Sequence, residues 1–394
     1  MGNVPNLRFP EFQGEWEEHL LGNISDVTKL AGFEFTKYVT YEDNGNIIAI
    51  RGLNCKNGSL DLRDVKYIDN SDFSKLSRSK LYTGDILYTY VGTVGEVAVV
   101  DKNDKYYLAP NVSRIRLSKD YNSDFIKQML GSKKFYNQIV FPLIATSSQP
   151  ALSMENLRKF KLKVPSIREQ TKIASLLNAI DERIATQNKI IEKLQSLIKG
   201  IGDKLLFNEA WTTTRLCDIL TERIEKSKMN NQHEVLSSTV KGIYSQREYF
   251  SKDIASENNV GYKIIHLHDI VLSPQNLWMG NINYNNRFDI GIVSPSYKIY
   301  KVSPKFDKHF IASMLRTHRA LYNYQLVSEQ GASVVRRNLN MEAFEQLTFK
   351  IPSYDLQVKI GHTLSLLQNQ LDTAFATKQA YHQQKQYLLS QMFI

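Results

Sequence analysis

Two stretches of this chain carry an apolar rhythm long enough to fix their structure from sequence. From Ile173, alternating steps of four and three residues fall on Ile173, Leu177, Ile180, Ile184, Gln187, Ile191, Leu194, Ile198, Ile201 and Leu205, apolar at every step but Gln187. That is a heptad seam, the pattern that keeps one stripe of a helix against a partner helix. The same stepping from Ile360 gives Ile360, Leu364, Leu367, Leu371, Ala374, Lys378, Tyr381, Lys385, Leu388 and Met392, in register but interrupted by two lysines. The spacing predicts two helices of roughly 35–40 residues, each about 55 Å long. Pro165 and Pro352 stand just before them, where a missing N–H costs little. Such a seam also suits dimerisation between two chains. Two of them in one chain, each following the same kind of domain, pack more economically on each other.

The remaining pattern is mixed. Short β-rich runs (DILYTYV, EVAVV, SRIRL) sit between Gly, Asn and Asp turn signals, whereas SDFIKQMLGSKKFYNQIV and DKHFIASMLRTHRALYNYQLV have helical spacing after an Asp-containing start. These segments recur. NLRKFKLKVPSIREQTKIASLL and MEAFEQLTFKIPSYDLQVKIGHTL each run from a short strand through proline into a long helix, and Pro165, Gln170 and Ile173 align with Pro352, Gln357 and Ile360. Upstream, Phe125-Ile126 matches Phe310-Ile311, Asp85-Ile86 matches Asp269-Ile270, and Trp16, Leu21 and Ile24 match Trp211, Leu216 and Ile219. Colinear matches at a slowly drifting offset indicate duplication. The expected fold class is α+β: two repeated globular domains, residues 1–155 and 209–340, separated by two long coiled-coil helices within the spacer regions 156–208 and 341–394.

Composition sharpens this only in part. The 394 residues hold 50 Lys+Arg against 40 Asp+Glu, a net charge of +10, which fits a polyanionic partner. Two distant cysteines, Cys55 and Cys217, match no metal spacing and suit a reducing compartment. The opening residues lack the apolar core of a secretory signal and no apolar run reaches 18 residues, so a cytoplasmic location without membrane association is expected.

Motifs for chemistry are missing. No (Asn/Asp/Ser)-Pro-Pro-aromatic element is present to hold a base for methylation; Ser273-Pro274-Gln275-Asn276 lacks the second proline. Gly92-Thr93-Val94-Gly95 is too short for a phosphate loop and reads as a tight turn. His266 and His268 share a strand face without a supporting cysteine or carboxylate cluster. No catalytic residue and no metal site is expected.

The opening LRFPEF..EWE, the paired VPSIREQTKI and IPSYDLQVKI elements and the long helices after them resemble the specificity (S) subunits of Type I restriction-modification systems. The resemblance implies a non-catalytic, sequence-specific DNA-binding subunit. Each globular domain would be a target recognition domain reading one half of a bipartite, asymmetric double-stranded DNA target. The partners it implies are two modification (methyltransferase) subunits and, in the full complex, two restriction subunits. It implies no cofactor in this chain: S-adenosylmethionine would lie on the modification subunits, ATP and Mg on the restriction subunits. Ile173, Leu177, Ile180, Ile184, Ile191, Leu194, Ile360, Leu364, Leu367 and Leu371 would form the spacer coil, its two helices antiparallel, that also docks partners. The second copy departs from the pattern with Asp355-Leu356-Gln357 in place of Arg168-Glu169-Gln170. A different reading of the same helices is a coiled-coil scaffold that organises partners and ignores DNA.

Candidate DNA contacts are polar, basic and aromatic residues in loops, since Arg and Lys read guanine edges, Asn and Gln read adenine, and many contacts go to phosphate. In the first domain these are Arg51, Lys56, Tyr90, Thr93, Arg114, Ser147, Ser148 and Gln149; in the second, Gln275, Asn276, Trp278, Ser333, Arg336 and Arg337. The second set falls in loops that correspond to those of the first.

Overall fold

The computed structural model describes residues 2–145, 149–249, 258–330 and 337–394. The chain forms two compact units, Met1–Gln187 with Thr377–Ile394, and Asn188–Ala376. Each contains one globular lobe, part of one long helix and part of the other.

In the first unit, Glu17–Leu20 pairs antiparallel with Lys161–Val164, and a single helical turn, Leu21–Ile24, leads into the edge of a four-stranded sheet. The order is Ser25–Lys29, Val112–Leu117, Ile86–Thr89, Val97–Val99, all antiparallel. The second unit repeats this element by element. Thr212–Arg215 pairs with Thr348–Ile351, Leu216–Ile219 makes the turn, and the sheet runs Leu220–Glu222, Lys298–Val302, Ile270–Leu272, Ile282–Tyr284. The α+β class and the repeat are borne out.

The central strands Ile86–Thr89 and Ile270–Leu272 read as apolar runs because both sheet faces are covered. Ile86 and Tyr88 enter one core with Trp16, Phe125 and Leu177, while Leu87 points into a second with Ile50 and Leu108. In the repeat, Ile270 and Leu272 face Phe310 and Leu364, and Val271 faces Leu236 and Ile299. The period of two in a strand divides one run between two cores. The lobes differ in the outer layer. The first adds Lys66–Tyr67, Ile48–Ile50 and Tyr106–Leu108, with one parallel pairing. The second adds the hairpin Leu236–Thr239/Gly242–Ser245 and the pair Lys263–His266/Ile290–Val293.

The aligned glutamines explain the repeated junction motif. Gln170 accepts a hydrogen bond from Asn122 N at 2.9 Å and donates to the Pro165 carbonyl at 2.8 Å. Gln357 makes the same two bonds, with Asp307 N at 3.0 Å and the Pro352 carbonyl at 2.9 Å. Asn122 and Asp307 in turn cap the next helices, accepting from Phe125 N and Phe310 N. One amide side chain thus ties the start of a long helix to the cap of a lobe helix, twice. Each segment with helical spacing after that cap is divided into two helices. Gly131 ends Ser123–Leu130 and Ser132 caps the next turn; Leu315 ends Lys308–Met314 and Thr317 caps His318–Leu326. A fresh side-chain cap restarts the helix in a new direction.

The departure at Glu169 also has a physical reason. Arg8, in the opening segment, forks onto the Glu169 carboxylate at 2.8 and 2.7 Å, and Glu169 is 1% exposed. No such opening segment precedes Trp211 within the second unit, and Leu356 stands where the partner carboxylate would be.

The long helices span Ile167–Leu205 and Tyr354–Met392, 39 residues each. In the first unit Ile173, Ala174 and Leu177 share a core with Leu389, Met392 and Phe393. In the second, Ile191 packs with Leu371 and Ala374, and Ile201 and Leu206 share a core with Ile360 and Leu364. The start of one helix meets the end of the other, so the pair runs antiparallel. Leu205 is an exception to the expected seam: it is exposed and Leu206 is buried instead, because a 3.6-residue helix drifts from a 3.5-residue repeat. Lys385 keeps its seam position by pairing with Asp181 at 2.6 Å, whose second oxygen accepts from Gln128 at 2.8 Å. Asp181→Ala, which strands a mostly buried ammonium, is expected to cost about 1–2 kcal/mol, whereas Lys385→Met is expected to be nearly neutral; urea unfolding of both variants checks the asymmetry.

Candidate nucleic-acid interface

In the first lobe, the strands Ile86–Thr89 and Val97–Val99 are joined by a tip containing Gly92 and Gly95 at φ +78° and +99°. A Cβ on Gly95 would lie 2.8 Å from the Tyr136 ring, so this position requires glycine. Thr89 holds the tip from within, its hydroxyl donating to the Thr93 carbonyl and accepting from Glu96 N. Thr93 is exposed.

The chain returns beside the tip: Gly92 N donates to the Pro150 carbonyl at 2.9 Å and Leu152 N to the Tyr90 carbonyl at 2.8 Å. Gln149 is thereby exposed next to Gly92 and Thr93. Lys56 is exposed on a small hairpin whose Asn57-Gly58 turn has both residues at positive φ, the geometry this dipeptide favours. Asn57 N donates to Glu96 at 2.9 Å, drawing that hairpin to the tip. Lys29, which the sequence did not single out, places its ammonium 5.2 Å from the Tyr90 ring centroid. Tyr90 itself is mostly buried in the lobe core.

Two expected contacts have other employment. Arg114 is 4% exposed and donates to the Asp26 carboxylate and to the Arg78 carbonyl. Burial lowers its pKa against the pull of Asp26. This corrects its place among exposed DNA contacts: on a strand buried on both sides, a basic side chain is held by an internal acid. Its neighbour Arg116 forks onto Asp85 at 2.7 Å in both bonds. Arg51 binds the Asp64 carboxylate at 2.7 Å and its carbonyl at 2.9 Å, with the buried Asn54 bridging the same loop. Ser147 and Ser148 lie outside the described residues.

The second lobe presents a corresponding pair of segments. After Ile270–Leu272 the chain turns through Ser273–Asn276 into one tight helical turn, Leu277–Met279, closed by Gly280 at φ +92°. Leu277 is buried beneath it, Trp278 half-buried and Gln275 exposed. The returning segment again lies alongside: Arg337 N donates to the Gln275 carbonyl at 3.1 Å, as Gly92 N does to Pro150 with the roles of the segments exchanged. The Arg337 guanidinium lies 4.6 Å from the Trp278 ring centroid. Asn276 is half-buried and lines a cleft of about 340 Å³ with Lys241 and Tyr297. Lys241, on a hairpin tip, is a second basic residue that sequence reading missed. Ser333 and Arg336 lie outside the described residues. The structure therefore brings Thr93, Gln149 and Lys56 to one region of the first lobe, and Gln275, Trp278 and Arg337 to one region of the second.

Other chemistry is spoken for. His266 pairs with Glu225 at 2.8 Å, holding that carboxyl below its usual range, and His268 bonds the Tyr284 hydroxyl at 2.6 Å. Burial pushes the Cys55 thiol up to about 12, so it is unsuited to act as a nucleophile. Among the described residues there is no cluster of three or more His, Cys, Asp or Glu fit to hold a metal, and no helix long and apolar enough to cross a membrane.

Residues 13–196 match the family described as Type I restriction modification DNA specificity domain. A Methanocaldococcus jannaschii chain named as a type I restriction enzyme specificity subunit is 23% identical over 219 residues, 52% of this chain and 48% of that one. The specificity subunit of the Escherichia coli K12 enzyme EcoKI is 23% identical over 156 residues, 38% of this chain and 33% of that one. The chain thus spans about half, or less, of the length of these relatives. The crystal structure of a Type I restriction-modification S subunit from M. genitalium superposes with a TM-score of 0.67 at 15% identity, covering 99% of both chains, and shows a shared fold. The family match and the two relatives agree with the resemblance over part of the chain, and the solved S subunit shares its fold.

Proposed function

We propose that this chain, which shares the fold of a Type I specificity subunit and matches that family over residues 13–196, is the DNA-reading subunit of a Type I restriction-modification complex, each lobe reading one half of a bipartite, asymmetric target. The observation that carries the reading is the paired loop arrangement: the same two segments meet in both lobes, but present Thr93 and Gln149 in one and Trp278 and Arg337 in the other. One architecture with two different surfaces suits two different half-sites on a single chain, whereas a symmetric dimer would impose a palindrome. Ser147, Ser148, Ser333 and Arg336 stand in the same stretches of sequence but lie outside the described residues. In this reading the chain carries out no catalysis and works in the cytoplasm. Two modification subunits with S-adenosylmethionine methylate adenine, two restriction subunits with ATP and Mg cleave, and the buried seam of the long helices stiffens the element on which partners dock.

The net charge of +10 supports a phosphate-binding component. Affinity of the full chain, assembled with a modification subunit, for duplex DNA is expected to fall by roughly a thousandfold or more between about 50 and 200 mM salt. A salt-independent result in a fluorescence-anisotropy titration would favour the coiled-coil scaffold instead. Exchanging residues 1–155 for another such domain is expected to change one half-site and leave the other unaltered.

A further inference from the structure

The recognition reading of the second lobe, on which this inference rests, leaves open what its arginine recognises. Arg337 is positioned twice over, by its backbone N–H on the Gln275 carbonyl and by its guanidinium over the Trp278 ring. Trp278 is itself fixed, on a tight turn anchored by the fully buried Leu277 and closed by Gly280 in a left-handed conformation. The Arg337 Nε is buried and has no hydrogen-bond partner among the described residues. An indole over the guanidinium covers one face of that plane and restrains its orientation, so the terminal N–H groups are offered edge-on.

A phosphate also takes the guanidinium fork, but from many orientations, because its oxygens are arranged around a tetrahedral centre. Guanine needs a fixed plane, because its O6 and N7 accept two parallel N–H bonds lying in the plane of the base pair. In the first lobe the segment that lies against the glycine tip carries Gln149 and Pro150 and no arginine, so this feature distinguishes the lobes. We infer that Arg337 selects a guanine in the half-site read by the second lobe, and that Trp278 is the positioning residue that sets the plane of its fork.

The test is selection from a duplex library with a randomised stretch, using the full chain assembled with a modification subunit, for wild type, Arg337→Lys, Arg337→Gln and Trp278→Leu. Wild type is expected to yield a two-part motif with a guanine in the part that follows the second lobe. Arg337→Gln and Arg337→Lys are expected to reduce the preference for that guanine roughly tenfold or more and leave every other position unchanged. Trp278→Leu is expected to weaken the same position alone. A uniform loss of affinity with the motif intact would make Arg337 a phosphate contact and overturn the inference while leaving the recognition reading in place. A wild-type selection with no motif at all would overturn both. The lysine variant keeps charge and size, so the comparison survives if the glutamine variant folds poorly.

Discussion

Replacing Arg8 with alanine is expected to destabilise the first unit by about 3 kcal/mol. Arg8 makes a two-pronged contact with Glu169, whose side chain is almost wholly withdrawn from water. Truncating the arginine leaves a carboxylate buried without its counter-ion. The reverse variant, Glu169→Leu, leaves Arg8 with the Gly14 and Gln13 carbonyls at 2.6 and 3.1 Å and more access to solvent, so it is expected to cost only about 1 kcal/mol. The double variant is expected to recover most of the loss, since removing both partners removes the stranded charge. Chemical denaturation of the three variants checks the ordering; equal losses for Arg8→Ala and Glu169→Leu would mean that the contact matters for packing rather than charge.

The second large effect is expected at the repeated glutamine. Gln170→Leu and Gln357→Leu each remove a donor and an acceptor from a buried junction, leaving a backbone N–H and a proline carbonyl unpaired. At roughly 1–3 kcal/mol for each of the two stranded groups, the loss is about 2–6 kcal/mol. For units of this size that corresponds to a fall in Tm of roughly 6–18 °C. Because the geometry is the same in both copies, the two variants are expected to lose similar amounts. Thermal unfolding followed by circular dichroism reads the shift; a change of a degree or so at either site would show that the amide is replaceable by an apolar side chain.

Much of the fold was legible in the chain. The heptad seam found Ile173, Leu177, Ile360 and Leu364 because helical periodicity is a local property, and it failed first at Leu205, where a drift of one position accumulates. Duplication was legible because the two copies retain the same caps, prolines and glutamines in order. Helix breaks at Ser132 and Thr317 were also written in the sequence, as hydroxyl caps inside an amphipathic pattern, but the apolar spacing on either side concealed them. The proposed DNA surface was legible only as a set of loops. Polar and basic residues look alike in sequence whether they face a ligand or an internal acid, and what separates Arg114 from Arg337 is what the fold puts beside each.

The sequence by itself determined most of the secondary elements, their repetition and the apolar seams of the two long helices, since these follow from spacing and turn chemistry over a few residues. Tertiary structure alone decided which charges are available. Arg114 meets Asp26 from 88 residues away, Lys385 meets Asp181 from 204 residues away, and Arg337 comes to rest over Trp278. Those pairings depend on where distant strands and helices bring two side chains within a few ångströms, and the energy of a charge depends on its surroundings more than on its neighbours along the chain.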